Sequence, residues 1–130
     1  MAPRASSRTH VPLVRKADRT GLVTVKLFPL QSLIELGAVE LVVPGVLPIG
    51  CFPLYLSMFP RPPEGYGARS GCIKDLNTLS WVHNVALQRK IAELRGKHPD
   101  VRIIYADYYT PAIQFVLHAE KYGERACLPH

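Results

Sequence analysis

The side chains with the most chemical reach in this 130-residue chain are six serines, five histidines, three cysteines and one aspartate that follows a strand-like run. Ester or amide cleavage by serine needs a hydroxyl activated by a base, and a third group that orients the base. Ser6, Ser7, Ser32, Ser57, Ser70 and Ser80 stand without such a setting. His83 lies on an apolar helical stripe with no serine or acid motif beside it, which reads as a packed, hydrogen-bonded histidine rather than a general base. Asp107 falls just past the carboxyl end of a strand, where catalytic carboxylates of α/β folds often sit. The proline at 111 favours a plainer role, in which Asp107 or Thr110 caps a helix. Cys51, Cys72 and Cys127 lack the close pairing of a zinc site, and no glycine-rich phosphate loop occurs, so neither a metal nor a cofactor is expected.

The elements that position these groups follow from hydrophobic patterning. Leu41 to Cys51, LVVPGVLPIGC, is an apolar run that breaks into a Pro/Gly-rich loop, which predicts a strand over 39–43 buried on both faces with a loop at its carboxyl end. Before it, SLIELG predicts the last turns of a helix stopped by Gly37. VTVKLF, within 21–30, is strand-like but interrupted by Pro29, and its place is left open. Residues 45–67 form a long connection carrying Pro48, Pro53, Pro60, Pro62 and Pro63 and an apolar cluster from Phe52 to Phe59. That cluster either lines a cleft, with Pro48, Ile49, Phe52, Leu54 and Tyr55 as its residues, or packs on neighbouring elements.

Leu76, Leu79, His83, Leu87, Ile91 and Leu94 recur at steps of three and four, predicting a helix over 73–96 ended by Gly96. A second strand over 101–106 and a helix from Pro111 to about Leu117 complete the order, with a loop over 118–130. Strand, helix and strand in succession make a βαβ unit with parallel strands and flanking helices.

The formal charge of +6 is concentrated at the start of the chain. Residues 1–30 hold Arg4, Arg8, Arg15, Lys16, Arg19 and Lys26 against Asp18 alone, and the remainder has ten basic and nine acidic residues. A near-neutral body with no basic face interleaved with aromatics excludes nucleic acid as an expected partner. Residues 1–20 lack periodic apolar positions and are expected to be disordered. No apolar core of a secretory leader and no membrane-spanning run is apparent.

From about Gln31 to Tyr122 the chain resembles the plant GDSL esterase/lipase family of SGNH hydrolases. Three separated segments carry the resemblance: LVVPGVLPIGC, GCIKDLNTLSWVHNVALQRKIAEL over 71–94, and RIIYADYY over 102–109. It implies a partial three-layer, flavodoxin-like fold that supplies two of about five parallel strands, with 1–30 an unrelated segment and 31–130 the central to late portion of the hydrolase domain. It also implies hydrolysis of carboxylic esters, an ester or lipid small molecule as substrate, and export to the cell exterior. Such enzymes attack with a serine in a GDS motif, hold the oxyanion with a glycine and the asparagine of a GxND block, and complete the site with a DxxH motif. None of these blocks occurs here, and none of His10, His83, His98, His118 and His130 has an aspartate three residues before it. No catalytic residue is therefore assigned, and the chain as given is expected to be inactive. The resemblance pairs Cys51 with Cys72 in a disulfide; two buried thiols are the other reading, and Cys127 is left over. Two parallel strands alone would leave Val and Ile side chains and strand edges uncovered, so marginal stability or aggregation is expected of the isolated chain. A non-catalytic, lipid-binding or interacting role for the apolar loop 52–59 is the alternative to ester hydrolysis.

Overall fold

Residues 22–123 are described by the computed structural model. The expected disorder of 1–20, together with Cys127, His10 and His130, lies outside the described residues. In chain order the elements are α1 (Leu22–Glu35), β1 (Glu40–Pro44), α2 (Pro53–Met58), α3 (Lys74–Lys97), β2 (Arg102–Ala106) and α4 (Tyr109–Leu117). Short 3-10 turns sit at Ile49–Cys51, Pro63–Gly65 and Ala119–Tyr122. The architecture is α/β, with β1 and β2 parallel and flanked by helices. Glu40 stands opposite Arg102 and Pro44 opposite Ala106.

The VTVKLF run is helical, and α1 extends from it across residue 30 through Pro29. β propensity expresses how well a side chain fits a pleated, half-buried surface, and among the described residues no strand pairs with this run. The end of α1 follows from Gly37, whose φ of +97° lies in the left-handed region. There the Gly37 N–H donates to Ile34 O at 2.9 Å and the Ala38 N–H to Leu33 O at 2.9 Å, closing the helix in a Schellman arrangement.

The core lies between one face of the sheet and two helices. Leu30 of α1, Leu87, Ile91 and Leu94 of α3, and Val43, Val101 and Ile103 of the sheet layer are all buried, with Ile34, Leu41 and Tyr105 packed against them. Val42 points the other way and is 59% exposed, so β1 is buried on one face and not on both. An unbroken apolar run is ordinary where helices cover both faces of a parallel sheet. Here the described helices α1 and α3 cover one.

Strand edges receive partial cover. The Arg102 N–H donates to Val39 O, and Ala106 O accepts from the Gly45 N–H, so the even-numbered residues of β2 face β1. The Ile103 carbonyl therefore points outward, and the Arg95 guanidinium donates to it, Nε lying at 2.8 Å. This satisfies a group that an edge strand otherwise leaves to solvent.

Helix α3 passes through Gly96 to Lys97, one residue beyond the expected stop. His98 closes it, with φ −129° and its N–H donating to Leu94 O. Pro99 supplies the reason, since its ring disfavours helical geometry at the preceding residue. The long connection 45–67 also holds more structure than expected. Pro53 occupies the first turn of α2, where its missing N–H costs nothing, and Leu54 to Met58 complete the helix.

Candidate functional site

The loop after β1 leaves the sheet at its carboxyl end and runs along the amino-terminal half of α3. Its backbone groups need partners, because loop N–H and C=O groups taken out of water cost stability if unpaired. Three polar side chains of α3 supply them. Asn84 Nδ2 donates to Val46 O at 2.8 Å while its Oδ1 accepts the Val46 N–H at 2.7 Å, so one buried amide pairs with both backbone groups of a single residue. Ser80 Oγ, also buried, accepts from the Ile49 N–H at 3.3 Å and donates to Leu76 O at 3.2 Å. Asn77 Oδ1 accepts from the Gly50 N–H at 2.9 Å, and its Nδ2 lies 3.4 Å from Cys51 Sγ.

Gly50 has no room for a side chain. A Cβ there would run into the Ile73 carbonyl oxygen and come within 2.8 Å of Asn77 Oδ1. The Gly50 carbonyl in turn accepts from the Ile73 N–H at 2.8 Å, and beside it Cys51 and Cys72 are joined by a disulfide across 21 residues. In the chain-entropy description, closing a loop of that size contributes on the order of 3 kcal/mol. Arg61 adds a further tie between the loop and α3, with Nε and Nη2 each 3.2 Å from Asp75 Oδ2.

The residues expected to line a cleft differ in exposure. Pro48 is fully buried, Ile49, Phe52 and Tyr55 are half-buried, and Leu54 is 62% exposed. Phe52, Tyr55 and Phe59 form a short row of rings, with centroids 6.4 and 6.0 Å apart. None of the five lines the open groove on the other side of the disulfide. That groove, of about 420 Å³, lies among the 67–72 turn, the first two turns of α3 and Tyr109.

At the carboxyl end of β2, Asp107 Oδ1 accepts the Thr110 N–H at 3.0 Å, the contact of a helix cap, and α4 begins at Tyr109. Hydrogen bonds from the Thr110 hydroxyl and backbone hold the Asp107 carboxyl below the usual carboxylate value. The observed contact of Asp107 is that of a cap on α4. Burial pushes the Tyr105 phenol upward, and the nearby Asp107 charge adds to that shift. Burial likewise raises Tyr109. Among the described residues no group of three His, Cys, Asp or Glu side chains is placed to hold a metal ion, and no helix is long and apolar enough to cross a membrane.

Two parallel strands flanked by helices, with a pinned loop at their carboxyl ends, are part of a flavodoxin-like α/β layer of the SGNH hydrolase kind. The chain belongs to the plant GDSL esterase/lipase family. It is 39% identical over 126 residues to a GDSL esterase/lipase of Arabidopsis thaliana, a match that spans 97% of this chain and 36% of the relative. That alignment reaches well into residues 1–30. A second Arabidopsis GDSL esterase/lipase is 47% identical over 72% of this chain and 25% of its own length, and the sinapine esterase of Brassica napus is 35% identical over 86% and 27%. The chain thus spans between a quarter and just over a third of the length of these curated relatives. No protein-family model and no solved structure matches it.

The Asn77, Ser80 and Asn84 clamp escaped the periodicity reading, which placed Leu76, Leu79 and His83 on the inner face; those three are half-buried. The available signal was the spacing of the polar residues themselves. Steps of three and four put Asn77, Ser80 and Asn84 on one helix face, opposite a loop rich in backbone groups.

Proposed function

We propose that this chain is scaffold of a carboxylic ester hydrolase, holding the loop and strand ends beside which acyl transfer takes place in the whole protein, and that the 130 residues alone turn over no ester. The observation that carries this reading is the similarity to GDSL esterase/lipases along 72–97% of the chain. The absence from the sequence of the GDS, GxND and DxxH blocks supports the second half. In serine esterases, loss of a single triad member lowers turnover by several orders of magnitude. The disulfide favours an oxidising, extracellular setting.

Hydrolysis of p-nitrophenyl acetate and butyrate by the purified chain tests the proposal. The expected rate is that of buffer. Turnover abolished by a serine-directed phosphonate would instead identify a working nucleophile among the six serines.

The exposed apolar edge of α2 favours a second reading, binding of a lipid-like ligand without catalysis. Leu54 and Met58, one turn apart, are 62% and 59% exposed, and Phe59 follows them at 43%. On this reading a fluorescent fatty acid binds the chain and is lost on Leu54→Ser with Met58→Ser. Equal binding by the double variant would remove α2 from consideration.

A further inference from the structure

The groove beside the disulfide is lined by two aromatic rings, one ammonium and several small or polar residues. Lys74, Thr78 and Trp81 follow one another at steps of four and three along α3, so they share a helix face, and Tyr109 closes the groove from the start of α4. Trp81 is 57% exposed, and Tyr109 is half-buried. Of the lining residues only Lys74 is charged. Its Nζ donates to Glu64 O at 2.9 Å, which leaves two of the three ammonium N–H groups for another acceptor. The nearest carboxylate along the helix, Asp75, is paired with Arg61 at 3.2 Å. Most other polar groups are committed within the protein. Asn77 holds Gly50, Thr78 Oγ1 donates to Lys74 O at 2.9 Å, and Ser70 Oγ accepts from the Cys72 N–H at 3.2 Å.

We propose that this groove binds small organic anions bearing an aromatic ring, with a carboxylate on the Lys74 ammonium and the ring against Trp81 and Tyr109. Two rings provide flat apolar area, and a lone ammonium provides a charge-assisted contact. The groove volume lies within the range of ~300–1,000 Å³ usual for small-molecule sites. The inference requires no reaction and stands apart from ester turnover. The Cys51–Cys72 bridge contributes by tethering the 67–72 wall to the loop under α3.

Trp81 is the sole tryptophan, so its emission reports on the groove without labelling. The oxidised chain is titrated at low ionic strength with sodium benzoate, benzyl alcohol and benzylamine, three probes alike in ring and different in charge. Benzoate is expected to saturate at a concentration about tenfold below benzyl alcohol, and benzylamine not to saturate. Added salt should narrow the gap. Lys74→Met and Lys74→Gln, at an exposed position, should bring benzoate level with benzyl alcohol and leave the alcohol unchanged, while Tyr109→Ala weakens both. Equal midpoints for the three probes, no saturation by any of them, or a benzoate preference that survives both Lys74 variants would overturn the proposal.

Discussion

Leu87, Ile91 and Leu94 occupy the carboxyl-terminal half of α3, Asn77, Ser80 and Asn84 the amino-terminal half, and the two halves meet different surfaces. The first packs side chains against side chains of the sheet layer, Val43 and Ile103 among them. The second meets mostly main chain, namely Val46, Ile49 and Gly50. An apolar face stabilises by area removed from water and is indifferent to direction. A polar face against a loop backbone stabilises little in net terms, but it fixes position, because each group must be matched. The sheet half of the helix therefore holds the fold together, and the loop half decides where the chain lies as it leaves the strand.

Substitutions in the two halves separate these roles. Leu87→Ala or Ile91→Ala removes a fully buried side chain and should cost about 2–5 kcal/mol, read as a lowered midpoint or loss of the urea transition followed by far-UV circular dichroism. Reduction of Cys51–Cys72 should cost about 3 kcal/mol, and proteolysis should then cut within 52–71 before it cuts β1 or α3. Asn84→Leu keeps the volume but strands both backbone groups of Val46. A cost of about 1–3 kcal/mol is expected, with faster amide exchange at Val46, Ile49 and Gly50 and little change at residues 87–94. Equal acceleration along the whole helix would erase the distinction between its halves.

The smallest effect expected is at Asp107. Asp107→Ala removes a cap on an exposed helix and should cost about 0.5–1 kcal/mol near neutral pH. The folded carboxyl titrates below its ordinary value, so its contribution is complete above that ordinary value and disappears as pH falls through the folded one. Wild type and Asp107→Ala should therefore converge in stability in acid.

The contrast between the halves also explains what the sequence made legible. Leu87, Ile91 and Leu94 repeat at helical spacing, and the short apolar, β-branched run at 101–106 reads as a strand. The parallel pairing followed from the order of elements. Asn77 and Ser80 share a helix face by spacing too, but a polar residue on an inner face looks like a break in the stripe until the loop backbone it serves is known. Val42 misled for a related reason. Its apolar neighbours suggest burial on both sides, and cover for a sheet face comes from elements distant in sequence. VTVKLF stays open in the sequence because its β-branched residues and Pro29 give no clear period; tertiary context decides for helix, where Leu30 and Ile34 meet the core.

The central claim, that this chain is working scaffold of an ester hydrolase, is tested most directly by transplanting residues 31–123 into the 39%-identical Arabidopsis relative in place of its matching segment. The measurement is p-nitrophenyl butyrate hydrolysis by the folded hybrid. Turnover is predicted, falling when Asn84→Leu releases the loop, with none from the 130-residue chain itself. A folded, soluble hybrid that hydrolyses nothing, or full activity from the isolated chain, would contradict the account.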